Sequence, residues 1–152
     1  MHVRFTVAGR ELVAPLDHVR EVVRGRKLER MPGFEPPFVG TLQLRGVTVP
    51  VADARPVPLE APVDIVVLVL PGSGAFGVIV DRVLAVTEDM AEATLSPAPE
   101  ALPVYVIGLL EHGGTVTPMV DLRILANEAS VGRARRAMAA SRVSATASAA
   151  SV

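Results

Sequence analysis

A stretch of sixteen residues occurs twice in this chain, and the repetition narrows the folds open to it more than any other feature. Residues 40–55 and 108–123 align without gaps, pairing Gly40 with Gly108, Leu42 with Leu110, Gly46 with Gly114, Pro50 with Pro118, Asp53 with Asp121 and Arg55 with Arg123. Each copy reads as a strand, a glycine turn and a second strand that carries a proline and ends in an aspartate, which is one hairpin used twice. A lone hairpin cannot bury its own apolar face, whereas two related barrels leaning on a common core bury both copies. At 152 residues the chain has room for one ordinary domain or for two such small barrels.

Most of the remaining sequence also reads as strand. Val3, Phe5 and Val7 alternate with Arg4 and Thr6, the period of a half-buried strand, and Gly9-Arg10 turns the chain into residues 11–14 to close a hairpin. Pro15 then opens a short helix in which Leu16, Val19 and Val22 or Val23 recur at helical spacing. Asp17, Arg20, Glu21 and Arg24 face water on it, and it ends near Gly25. Charges together with Pro32, Pro36 and Pro37 make residues 27–37 a connecting loop. Beyond it, β-branched residues place strands at 41–45, 47–51, 65–70, 76–80, 83–87, 104–110 and 115–120, with Gly or Pro in nearly every gap. Short strands so punctuated predict a mainly β barrel or sandwich. Residues 129–152 change character, being rich in Ala and Ser with Arg133, Arg135, Arg136 and Arg142 and no acid. They predict a frayed helix grading into disorder, a C-terminal tail to a domain spanning residues 1–128.

Composition closes off several kinds of chemistry. Without cysteine there is no thiol catalysis, thiolate metal site or disulfide, as fits a reducing compartment. Half of the residues are hydrophobic, yet the apolar stretches at 65–70 and 75–80 are strand-sized, far short of the roughly 20 residues that cross a bilayer, so no membrane insertion is expected. Met1 leads almost directly into the alternating strand with no apolar run of a signal peptide, so the expected location is the cytoplasm. A net charge of −1 supplies no general pull toward nucleic acid or anionic lipid.

The strongest enzyme motif is Gly72-Ser73-Gly74-Ala75-Phe76-Gly77, which spells G-x-G-x-x-G after an apolar strand. A dinucleotide fingerprint must open a helix, but Val78-Ile79-Val80 is β-branched and alternation resumes, so a glycine-rich hairpin turn is expected. The only lysine, Lys27, follows Arg26 rather than glycine, which leaves no P-loop. His2, His18 and His112 lie far apart in sequence without H-E-x-x-H spacing, and Ser73 lacks the glycine spacing and following helix of a nucleophile elbow. Asp53, Asp81 and Asp121 each follow an apolar strand, where a carboxylate is expected to accept backbone N–H groups in preference to acid–base work. No catalytic residue, metal or cofactor is predicted, and the chain is expected not to be an enzyme.

Residues 38–53, Phe38-Val39-Gly40-Thr41-Leu42-Gln43-Leu44-Arg45-Gly46-Val47-Thr48-Val49-Pro50-Val51-Ala52-Asp53, resemble the signature of the CheW family of chemosensory coupling proteins. That signature is a Gly, then Asn-Leu-Arg-Gly, then an apolar strand with Pro and Asp. Gly77-Val78-Ile79-Val80-Asp81-Arg82-Val83 is similar to the family's second strand pair, and Gly108 followed by Pro118-Met119-Val120-Asp121-Leu122 extends the resemblance over about residues 3–126. It implies two small SH3-like five-stranded β-barrels around a shared hydrophobic core, with short helices. It also implies a cytoplasmic, non-enzymatic adaptor of chemoreceptor arrays. Such a protein bridges the cytoplasmic tips of methyl-accepting chemoreceptors to a CheA-type histidine kinase or to other CheW-like proteins. By the same resemblance Val19, Glu21, Val22, Gly40 and Arg45 match the receptor groove, where the valines receive a helical tip while Glu21 and Arg45 orient it by charged hydrogen bonds.

The sequence departs from the family pattern at Gln43, which stands for the Asn, and at Ala54, which stands for a Leu. The connection over residues 55–64 is short and carries Pro56, Pro58 and Pro62. Ala54, Arg55, Pro56, Pro58 and Pro62 are the positions expected to face the kinase, and their divergence implies that kinase binding is weakened or lost. Two other classes remain as alternatives. A β-barrel that binds single-stranded nucleic acid needs aromatic platforms, whereas Phe5, Phe34, Phe38, Phe76 and Tyr105 are scattered. A nucleotide-binding enzyme built on residues 72–77 needs a helix there.

Overall fold

The computed structural model describes residues 1–26, 28–30, 36–57, 62–72, 74–87 and 93–150. Among them the strands are β1 His2–Val7, β2 Arg10–Pro15, β3 Val19–Arg26, β4 Glu29–Arg30, β5 Phe38–Leu44, β6 Val47–Asp53, β7 Val63–Leu70, β8 Gly74–Val80, β9 Arg82–Thr87, β10 Thr94–Ser96, β11 Val106–His112 and β12 Thr115–Val120. One helix follows, α1 Leu122–Ala150.

The strands form two sheets built to one plan. One runs β10-β11-β12-β2-β1-β9 and the other, read from its short end, β4-β5-β6-β8-β7-β3. Each begins with a two- or three-residue edge strand and an antiparallel hairpin, joins a second hairpin through a parallel contact, and ends in one more antiparallel strand. Five strands of six or more residues therefore make up each unit. The sequence repeat lies on β5-β6 and β11-β12 and is a repeat of geometry too. Gly40 opposes Val51 as Gly108 opposes Met119, Thr41 opposes Pro50 as Leu109 opposes Pro118, and both ladders slip register just before the glycine.

Three hairpins turn on two residues of positive φ, Ala8-Gly9 (53° and 74°), Arg45-Gly46 (49° and 79°) and Gly113-Gly114 (57° and 79°). Such primed turns match the right-handed twist of the strands they join, which sets the register of each pair.

The helix expected after Pro15 is a strand instead. Val19 N–H donates to Leu16 O at 3.0 Å in a tight turn, and Val19, Glu21, Val22 and Val23 then oppose Leu68, Val67, Val66 and Ile65 of β7. The ladder slips between Val19 and Glu21 and again between Val23 and Arg26. These bulges break strict alternation, so apolar residues on a strand fall at spacings that imitate a helical period.

Three apolar clusters occur among the described residues. The largest lies between the sheets and joins Val3, Phe5 and Leu12 to Val66, Leu68, Val78 and Val80, with Leu122, Leu125 and Ala126 of α1 closing it. The second fills the interior of the β3–β8 unit with Leu42, Val51, Ile65, Val67 and Ile79, while Val13, Leu110 and Met119 form a smaller third in the other unit. Val66 and Leu68 thus face the shared core while Ile65 and Val67 face the barrel interior, which is why β7 reads as an unbroken apolar run. Residues 19–80 hold every strand of one sheet, whereas the other sheet takes its strands from both sides of that segment.

Asp121 starts α1 by accepting N–H bonds from Arg123 at 3.0 Å and Ile124 at 3.1 Å, the geometry of an N-cap. Arg133 Nη1 donates to Asp53 O at 2.9 Å and Arg55 O at 2.6 Å, and Arg136 Nη2 donates to Pro56 O. The tail expected from residue 129 is the continuation of this helix, and every residue from 134 to 143 is exposed. No helix among the described residues is long and apolar enough to cross a membrane.

Candidate functional site

β3 and β9 are the outer strands of their sheets, and the two edges lie against one another. Asp64 stitches them, its Oδ1 accepting from Gly25 N–H at 3.0 Å and its Oδ2 from Val83 N–H at 2.8 Å. Arg24 Nη1 donates to Val83 O at 2.9 Å and stands 3.7 Å from Asp64 Oδ2. Three edge groups that would otherwise be open to another strand, Gly25 N–H and the Val83 N–H and carbonyl, are thereby satisfied.

Val19 and Val22 sit half-buried on β3, one flank packed on the shared core. Glu21 accepts a hydrogen bond from Arg45 Nη2 at 2.6 Å. Three strands separate β3 from β5 in the hydrogen-bonding order, so this contact requires the sheet to curl until its two ends meet. With side-chain exposures of 68% for Arg45 and 23% for Glu21, the pair is worth about 0–1 kcal/mol to folding and acts chiefly to fix two charges in place. Gly40 is buried in β5, between Val51 and the short edge strand β4. At the equivalent Gly108 an added Cβ would stand 2.9 Å from Leu95 Cδ1 and 3.2 Å from Ser96 O of the edge strand β10. At Gly108 the missing side chain therefore lets a short edge strand close in, and Gly40 holds the equivalent buried position beside β4.

The five positions expected to face a kinase fare differently. Ala54 and Arg55 are buried, which corrects the expectation that they lie on an outer surface. Ala54 N–H donates to Ile79 O at 3.0 Å, so the chain stays in the sheet beyond β6 and α1 covers it. Arg55 meets Asp53 through two bonds, Nε to Oδ1 and Nη2 to Oδ2, each at 2.9 Å. Pro56 is half-buried and Pro62 exposed, while Pro58 lies outside the described residues.

Other motifs resolve into architecture. Gly72 and Gly74 take positive φ in the β7–β8 turn, and Gly77 lies within β8, so G-x-G-x-x-G leads into a strand and opens no helix. Ser73 lies outside the described residues. The carboxylates of Asp53 and Asp81 accept backbone N–H bonds from Arg55 at 2.9 Å and Gly9 at 3.1 Å, alongside the cap made by Asp121. His2 and His112 line one cavity of about 390 Å³ with Arg4 and Glu11, while His18 lies elsewhere. No cluster of three or more metal-ligating side chains occurs among the described residues. Phe5 is buried, and Phe38 and Phe76 pack edge-to-face with centroids 6.5 Å apart, which builds no open stacking platform. Phe34 lies outside the described residues.

Sequence reasoning missed Leu84 and Val86, which stand about half exposed on β9 beside β3. The signal was present in Val83-Leu84-Ala85-Val86, an edge strand apolar on both faces although one of them meets solvent.

The CheW-like domain pattern matches residues 2–101, about two thirds of the chain. The chain belongs to the CheW-like family. The chemotaxis protein CheW of Bacillus subtilis (strain 168) is 39% identical over 51 residues, which are 34% of this chain and 33% of that protein. The stretch held in common thus spans about a third of that relative's length. The crystal structure of the scaffolding protein TtCheW from Thermoanaerobacter tengcongensis superposes with a TM-score of 0.64 at 21% identity, covering 82% of this chain and 90% of that one. The CheW-like fold of two SH3-like β domains is shared, as the duplicated sheet plan requires.

Proposed function

We propose that this CheW-like chain is a non-catalytic cytoplasmic adaptor that binds the cytoplasmic tip of methyl-accepting chemoreceptors through the β3 surface. Val19 and Val22 supply apolar contact, Glu21 and Arg45 orient the incoming helix, and Gly40 shapes the strand behind them. The observation that carries this reading is the 2.6 Å bond between Arg45 and Glu21, two positions that the family resemblance names separately and the fold unites. An apolar strip beside a fixed pair of opposite charges suits an amphipathic helix, whose apolar face needs a groove and whose polar flank needs partners. Leu84 and Val86 are exposed apolar side chains on β9, the strand that meets β3 at the seam.

In this reading the chain assembles receptors into arrays, and contact with a CheA-type kinase is weak, or is replaced by contact with other CheW-like proteins. Of the described positions matched to the kinase surface, Pro56 and Pro62 are left with accessible area, and both lack an N–H to donate. Gel filtration of the full chain mixed separately with a receptor signalling tip and with a kinase regulatory domain tests both halves. A complex with the tip and little or none with the kinase domain is expected. Failure to bind the tip would sink the receptor reading, and tight kinase binding would sink the second half.

A further inference from the structure

The two barrels share a plan but not an interior. Val51 opposes Gly77 in the parallel contact of one sheet, and Met119, its counterpart in the sequence repeat, opposes Val13 in the parallel contact of the other. Followed outward along the ladders from that contact, Ile65 and Val67 of β7 correspond to His2 and Arg4 of β1, Ala75 of β8 to Glu11 of β2, and Val23 of β3 to Thr87 of β9. The repeat itself matches Leu44 with His112 and Val49 with Thr117. Every residue of the first set is apolar: Val49 is buried, and the others pack in the interior of the β3–β8 unit. Every residue of the second set is polar, and all of them line one cavity of about 390 Å³ bounded by β1, β2, β9, β11 and β12. That volume is of the size that takes a small molecule. Closing such a barrel does not require a polar lining, since its twin is closed by valine, leucine and isoleucine.

Arg4 is the centre of this lining. Its Nη2 donates to Glu11, which holds the guanidinium against the neighbouring strand. Its Nε is buried and has no hydrogen-bond partner among the described residues, whereas buried donors are almost always paired. Glu11 balances the charge of Arg4, so the cavity selects a ligand by the donors it presents, Arg4 Nε with the hydroxyls of Thr87 and Thr117, more than by net charge. Donors in that arrangement call for a group made of acceptors. We propose that the cavity binds a small organic acid, a carboxylate or a phosphate monoester whose oxygens accept from Arg4 Nε and the threonine hydroxyls. The site lies in the opposite barrel from β3, so its occupancy stands or falls separately from receptor binding.

NMR titration of the full, isotope-labelled chain with succinate and with glycerol phosphate, at constant ionic strength, tests this directly. At least one of the two anions should shift the Arg4 Nε–H resonance and the amides of His2, Thr87 and Thr117 along one saturable isotherm, with a dissociation constant of about 1 mM or tighter. The tighter of the two identifies the acidic group preferred. Tetramethylammonium should shift none of these resonances. Arg4→Gln should weaken binding at least about tenfold, while Arg142→Gln, on the exposed part of α1, should leave it unchanged. Should Arg4→Gln fail to fold, the Arg4 Nε–H resonance of the parent chain decides alone. Failure of both anions to saturate, shifts confined to residues outside the cavity, or a folded Arg4→Gln chain that binds like the parent would each overturn the proposal.

Discussion

Arg45 holds a position in its turn where its own conformation is unfavourable. A non-glycine residue at positive φ costs on the order of 1 kcal/mol, and asparagine tolerates the same geometry far better. Arg45→Asn therefore loses an exposed ion pair and gains backbone ease, two effects of similar size and opposite sign. Stability should stay within about 0.5 kcal/mol of the parent by urea titration, while receptor-tip affinity by calorimetry falls about tenfold or more. A large loss of stability would make Arg45 structural. The buried pair behaves otherwise. Asp53→Ala removes the carboxylate that neutralises the buried Arg55 guanidinium, and denaturant unfolding should show a loss of about 3–5 kcal/mol. Asp81→Ala removes only the bond to Gly9 and should cost no more than about 1 kcal/mol by the same measurement.

At the scale of elements, β8 explains a motif that imitates a nucleotide site. A Cβ added to Gly77 would lie 2.7 Å from Ile65 Cγ2 and 3.3 Å from Val51 Cγ2, both in the barrel interior. Gly77→Ala should therefore destabilise the chain by about 1–3 kcal/mol in thermal or chemical unfolding. Calorimetric titration of the parent with NAD or ATP should show no micromolar site, and a site there would revive the enzyme reading. β3 teaches the opposite lesson about legibility. Its apolar residues satisfied a helical period, yet an unpaired edge of β7 was waiting for a strand, and two bulges reconciled the spacing with the sheet. Hydrogen bonding to a neighbour supplied by residues some forty positions later outweighed the local pattern.

At the scale of the molecule, the β3–β8 unit is contiguous in sequence but not independent. Its outer face supplies Ala52, Val66, Leu68, Val78 and Val80 to a core whose other half comes from β1, β2, β9 and α1. A fragment of residues 19–81 should accordingly fail to fold, giving collapsed amide dispersion in its NMR spectrum, whereas the whole chain should unfold in one calorimetric transition. Two separate transitions, or a well-dispersed fragment, would show that the shared core is dispensable.

The sequence by itself determined the strands whose pattern is local. Alternation in β1, the apolar runs of β7 and β8 and the duplicated hairpin with its glycine turn depend on neighbours only a few residues away, whereas the first turn falls on Ala8-Gly9 one residue before the Gly9-Arg10 expected, and Arg45 belongs to its turn and not to the strand before it. The candidate site was legible only through its resemblance to a family, because neither Val19 nor Arg45 carries a local mark of function. Tertiary structure alone decided that Glu21 meets Arg45, that β9 meets β3 through Val83 and Arg24, and that Arg55 is buried against Asp53 while α1 holds its carbonyl. Those outcomes depend on which distant segments share an edge once the sheet has curled and the helix has docked, and the energy of such contacts is absent from any short window of chain.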